Sequence, residues 1–201
     1  MRFAPTTFRP AFGRVLSIIV VAIAVAGVAG FVVTGDLVGL LRYGWGLGLL
    51  GAAAVALFWL PSLAVAEHEV TVRNVFSTLH VPWTAIERID TKYALTLYIP
   101  GGKVTAWASP APSRYAGQVS SSRDTGLPGR GLGGSIRPGD LLNTASGAAA
   151  YVIRNHWDQL RDDGRLENAV IEDGSLRRVW HWPTMIVLGA LTIATVAGIV
   201  F

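Results

Sequence analysis

Cysteine is missing from this chain of 201 residues, which excludes disulfide frameworks, thiolate nucleophiles and thiolate-held zinc or iron–sulfur centres. Charge is scarce too: 15% of residues are charged, against roughly a quarter in ordinary soluble domains. Hydrophobic residues make up 51%, and the mean hydropathy is +0.44. A single water-soluble globule is therefore excluded. The apolar residues gather in three blocks, and what remains between them is too short for a large enzyme core.

The first block, Val15 to Thr34, is twenty residues without a charge, enough to cross a hydrocarbon core of about 30 Å. The second runs from Tyr43 to Ser62 and the third from Trp182 to Phe201. The rival reading of each, a buried core helix, fails because no soluble fold of this size hides three such segments. Tyr43, Trp45, Trp59, Trp180 and Trp182 mark the span edges, where amphipathic rings bridge acyl chains and headgroups. Gly44, Gly48, Ala52 and Ala56 recur every four residues on one face of the second span, and Gly27 and Gly30 lie in the first. Such small residues let helices approach closely. The expected use is packing within the hairpin of spans, and the alternative is docking on another protein's helices.

Arg2, Arg9 and Arg14 precede the first span, while Arg177 and Arg178 guard the entry to the third. By the positive-inside rule these ends stay in the cytoplasm. The short connection Gly35 to Arg42 then turns outside. The expectation is a multi-pass protein of the inner or plasma membrane, with residues 1–14 and the segment from Glu67 to His181 cytoplasmic and the C-terminus outside. A signal peptide is the alternative for the first block, but twenty apolar residues is long for one.

From Glu69 the apolar period changes to two. Val70 and Val72 alternate with Thr71 and Arg73, residues 74–77 turn, and Leu79 and Val81 follow. Ile89 to Tyr93, Leu95 to Ile99 and Lys103 to Ala108 continue the pattern, with Pro100-Gly101-Gly102 as a hairpin turn. About five antiparallel strands are expected. Thr144 to Asp163 is expected to be helical, with Ala149, Val152, Ile153, Trp157 and Leu160 forming one apolar stripe and Gly164 as the stop.

Val70-Thr-Val-Arg-Asn-Val-Phe76, His80-Val-Pro-Trp-Thr-Ala-Ile-Glu-Arg-Ile89 and Leu95-Thr-Leu-Tyr-Ile-Pro-Gly-Gly-Lys-Val-Thr-Ala-Trp107 together resemble a bacterial pleckstrin-homology-like (PH-like) domain. The version is the one found in small actinobacterial membrane proteins with an N-terminal hairpin of spans. Trp180-His-Trp-Pro183 is similar to the stretch before their last span. The resemblance implies an α+β membrane protein: three transmembrane helices plus a small antiparallel β-barrel or sandwich capped by one C-terminal helix. The PH-like domain would occupy 67–164, with 165–181 as a linker. The resemblance implies no catalytic residues, and protein interaction as the role.

One segment departs from the family pattern. Residues 115–143 are rich in Gly, Ser and Pro and carry no periodicity. Arg114, Arg123, Arg130 and Arg137 against Asp124 make this stretch basic, so it is a candidate contact for a partner or an anionic lipid surface. A solvated insertion is the plainer reading. Val75 and Phe76, at an uncharged hairpin tip, are a second candidate contact.

Tests for chemistry return little. Gly129-Arg-Gly-Leu-Gly-Gly134 matches the dinucleotide fingerprint formally, but it has Pro128 before it, Pro138 after it and no βαβ unit. His68, His80, His156 and His181 show no ligand spacing. Glu87 with Asp90, Asp162 with Asp163 and Glu172 with Asp173 sit in polar stretches, as solvated faces do. Between Glu67 and Arg178 thirteen bases meet twelve acids, a balance unlike that of a nucleic-acid domain. The expectation is a protein without catalytic, cofactor-binding or metal residues, without nucleic-acid or small-molecule partners. Its partners would be other membrane proteins, and lipid. The role expected is an accessory or assembly subunit of a larger membrane complex, with a respiratory-chain assembly one candidate by analogy. The alternative is a stand-alone lipid- or envelope-sensing module.

Overall fold

The computed structural model describes residues 5–110, 144–164, 166 and 176–200. Arg114, Arg123, Arg130 and Arg137, the Gly/Ser/Pro stretch, and Glu172 with Asp173 lie outside the described residues. The chain divides into two compact units.

The first unit holds 62–74, 78–179 and the N-terminal strand. Its larger sheet has the order β1-β2-β3-β4-β8, formed by Thr6–Phe8, Ser62–Val65, Glu69–Arg73, Ser77–Pro82 and Arg177–Trp180. A smaller sheet is β5 (Arg88–Asp90), β6 (Ala94–Ile99) and β7 (Gly102–Pro110). Period-two alternation sets the register. Thr71 faces His80 and Val72 faces Leu79, so polar pairs share one face and apolar pairs the other. The β6–β7 turn needs positive φ at its middle position, and Gly101 supplies it at +77°.

The core gathers from both sheets: Leu63, Val70, Val81, Leu95, Leu97 and Ala106 are buried. One helix, α3 (Ala145–Asp162), closes it with Ala149, Ala150, Ile153 and Leu160. Thr144 caps α3, its Oγ1 accepting the Gly147 N–H at 3.0 Å. Trp83, in a short 3₁₀ turn, packs edge-on against His156 at 4.8 Å and donates its indole N–H to the Ala66 carbonyl at 3.1 Å. His156 is thus a buried packing residue of α3.

Eight strands are described where alternation alone points to about five. The additional ones are β1, β2 and β8, each beside an apolar helix. They reach into the stretches that hydropathy assigns to the cytoplasmic N-terminus, to the end of the second span and to the 165–181 linker. Their links to those helices are one or two residues long: Arg9–Pro10, Leu60–Pro61 and His181.

The second unit is a bundle of α1 (Ala11–Thr34), α2 (Leu37–Ala54) with a final π-helical turn to Trp59, and α4 (Trp182–Val200). All three are long and apolar enough to cross a membrane. Two residues join α1 to α2. Gly35 adopts the left-handed conformation at φ +69°, and the Asp36 carboxylate accepts the Gly39 N–H at 2.8 Å. That cap starts α2 at Leu37, so Arg42, Tyr43 and Trp45 lie inside the helix and not before it. Likewise α1 begins at Ala11, which brings Arg14 into its first turns.

Candidate interaction surfaces

Three surfaces follow from how the strands expose their polar sides. On the larger sheet, β3 and β4 place Glu69, Thr71 and His80 together. His80 Nδ1 lies 2.7 Å from Glu69 Oε1, and Thr71 Oγ1 donates to the same carboxylate oxygen at 2.9 Å. Burial pushes the Glu69 carboxyl up, but the hydrogen bonds from His80 and Thr71, with the charges of His80 and Arg177, outweigh it and hold it below its usual value. Thr71 approaches the histidine at Nδ1 as well, at 3.3 Å. A proton relay needs the acid on one ring nitrogen and the nucleophile on the other. With both partners on Nδ1, this cluster holds charge and does not activate the hydroxyl.

The smaller sheet presents Arg88, Tyr98 and Lys103 in one cross-strand row, because Tyr98 pairs with Arg88 on one side and Lys103 on the other. The Arg88 guanidinium sits 3.9 Å from the Tyr98 ring centroid. Trp107 follows Lys103 on the same face of β7 and is 49% exposed. Asn74, at the end of β3, makes β7 firm at this point. Its amide donates to the Thr105 carbonyl at 2.8 Å and accepts the Trp107 N–H at 3.0 Å, doing for one side chain what a neighbouring strand does for an edge. Sequence reading put Trp107 opposite the apolar residues of its strand and Asn74 in a turn, and made neither a candidate contact. The exposed position of Trp107 in the alternation was the available signal.

The third surface is the β3–β4 tip. Val75 is buried at 1% exposure, so of the two candidate contacts there only Phe76, at 43%, faces outward. Val75 is covered because the tip is tied to the start of α4. The His181 N–H donates to the Phe76 carbonyl at 2.8 Å, and His181 Nδ1 lies 3.1 Å from the Val75 carbonyl. His181 therefore joins the hairpin tip to the third helix.

In the bundle, the expected small-residue face is used in part. Gly48 faces Leu191 of α4 at 3.7 Å and Ala56 is buried, whereas Gly44 has only Leu40 of its own helix beside it. Gly27 of α1 packs on Leu47 of α2, 2.8 Å from where a methyl group would stand, but among the described residues the closest approach of one helix backbone to another lies elsewhere. A methyl group added at Gly198 would stand 2.9 Å from the Arg42 carbonyl oxygen, backbone against backbone. At that crossing the Arg42 guanidinium donates to the Ile199 carbonyl at 3.1 Å, a cation at a helix C-terminus. Tyr43 stacks on Phe31 at 6.5 Å, and Arg14 lies over the Trp59 ring at 5.4 Å. Trp45, Trp59, Trp180 and Trp182 are all exposed, while Arg177 and Arg178 belong to β8. Among the described residues no three His, Asp or Glu side chains are grouped to hold a metal ion.

Two antiparallel sheets, one closing helix and the capped hairpin between β6 and β7 are the frame of a known module. Residues 60–123 match the bacterial PH domain family. The match runs from β2 through β7, the strands whose alternation carries the resemblance, and leaves out β1, β8, the bundle and α3. No curated protein and no solved structure matches the chain. The protein is thus a membrane protein with a bacterial PH domain.

Proposed function

We propose that this protein is a non-catalytic, membrane-anchored interaction protein, an accessory or assembly subunit of a larger membrane complex. The observation that carries the reading is the exposed face of the smaller sheet, where Trp107 stands beside the Arg88–Tyr98–Lys103 row. Tryptophan, tyrosine and arginine are the residues that dominate binding energy at protein interfaces. The Asn74 clamp fixes the backbone that carries Trp107, which lowers the ordering cost of docking there. The Glu69–Thr71–His80 geometry supports a role without catalysis. A respiratory-chain assembly is one candidate for the complex. The part played there is structural, since the sequence has no cysteine and no recognisable haem or copper ligand set.

The arginines at both ends support a cytoplasmic PH domain. A membrane-impermeant amine reagent added outside intact cells should leave exposed Lys103 unmodified, and its modification there reverses the topology.

Native membranes solubilised in mild detergent test the role. The chain should migrate in fixed stoichiometry with a large complex, and Trp107→Ala with Lys103→Glu should release it without lowering its melting temperature. A chain that migrates alone and binds anionic liposomes in a salt-sensitive manner through Arg114 to Arg137 is instead a lipid sensor.

A further inference from the structure

Between α1 and α4, over the floor made by α2, lies an apolar groove of about 770 Å³. Val25 forms one wall, Val187 the other, and Ala52 and Ala56 the floor, with Leu60 and Pro183 at one end. Thr184 is the one lining residue with a polar side chain, so the occupant is hydrocarbon. In a bilayer that leaves an acyl chain or a foreign helix.

Arg14 decides between them. Trp59, the residue before Leu60, carries the Arg14 guanidinium over its ring at that end of the bundle. The Arg14 Nε is shielded from solvent and has no hydrogen-bond partner, and no described carboxylate pairs with the side chain. An arginine so placed has unspent donors in a fork that suits a phosphate. A purely apolar helix would leave it unsatisfied, whereas an amphiphile with an anionic head satisfies it and fills the groove together. We propose that the bundle binds one anionic phospholipid, its phosphate on Arg14 and an acyl chain in the groove. The site belongs to the helices alone and is separate from the protein-docking face of the PH domain.

The delipidated full-length protein, titrated with phosphatidylglycerol and with phosphatidylcholine of identical chains and read by native mass spectrometry, tests this. One phosphatidylglycerol per chain should bind about fivefold more tightly than phosphatidylcholine, whose choline ammonium cancels the headgroup charge that Arg14 attracts. Arg14→Gln should abolish the preference, Arg14→Lys should keep part of it, and Ala52→Leu, which fills the floor, should weaken both lipids. Gel filtration and helical circular dichroism, unchanged in all three variants, show that the bundle is intact. Equal affinity for both lipids, a preference that survives Arg14→Gln, or undiminished binding by Ala52→Leu overturns the proposal. So does a cross-link from position 52 to another protein's helix in native membranes.

Discussion

The PH domain and the helical bundle are built from the same aliphatic residues and use them in opposite ways. In the domain Leu63, Val65, Leu95 and Leu97 are wholly enclosed, while in the bundle Ile18, Val33, Ile193 and Val200 point outward. Water drives large side chains together in the first. Lipid supplies no such force in the second, where small residues at the crossings let backbones meet. Burial is thus evidence of cohesion in one unit, and close approach at glycine is evidence of it in the other.

The strongest challenge to that contrast is a pair of truncations. Leu97→Ala should destabilise the domain by about 2–5 kcal/mol through lost transfer energy and a cavity, measured by thermal melting in detergent. Ile193→Ala, on an outward face, should shift the melt little. Comparable losses at both sites would mean that the spans are packed as a water-type core.

Next in size is Gly198→Val. Its side chain meets the Arg42 backbone, which cannot yield as a flexible side chain would, so overpacking should cost about 1–3 kcal/mol. Because the chain lacks cysteine, a disulfide engineered between Gly46→Cys and Thr195→Cys reports the crossing cleanly. It should form readily in the parent and poorly beside Gly198→Val.

Asn74→Ala removes two hydrogen bonds from β7, a loss of about 1–2 kcal/mol. Its signature is local: the Trp107 amide should lose hydrogen-exchange protection while the bundle's amides keep theirs. An unchanged Trp107 amide would show that the edge does not need the clamp.

The smallest effect is on acidity. Glu69 is held below its usual value in the folded state, so its ionised form stabilises the fold above the unfolded glutamate's range. That contribution disappears as pH falls through the folded value. The melting temperature should drop on acidification, and Glu69→Gln should start lower at neutral pH and drop less. Identical profiles would remove the Glu69–His80 pair from the account.

Much of the domain was legible because its strands obey one local rule. From Val70 to Ala108 the aliphatic residues of the alternation face the core, whereas Tyr93, expected in the same pattern, is exposed, and the stripe on α3 lies where a 3.6-residue period puts it. The strands β1, β2 and β8 were not legible. Thr6–Phe8 is three residues long, Ser62–Val65 reads as the tail of a span, and Arg177–Trp180 reads as its basic flank. Each is a strand only because a distant partner supplies its hydrogen bonds, as Ala64 does for Thr7. The surface site was hidden for the same reason: Asn74 meets Thr105 and Trp107 across thirty residues of chain, and nothing local announces it.

The sequence by itself determined three spans, a β-rich module between the second and third, and a helix to close it, because hydropathy length and period are properties of neighbouring residues. Tertiary structure alone decided which glycine brings helix backbones together, that Val75 turns inward, and that Arg14 faces Trp59 with donors to spare. Those outcomes depend on which residues distant in the chain compete for the same space, and no local pattern encodes that competition.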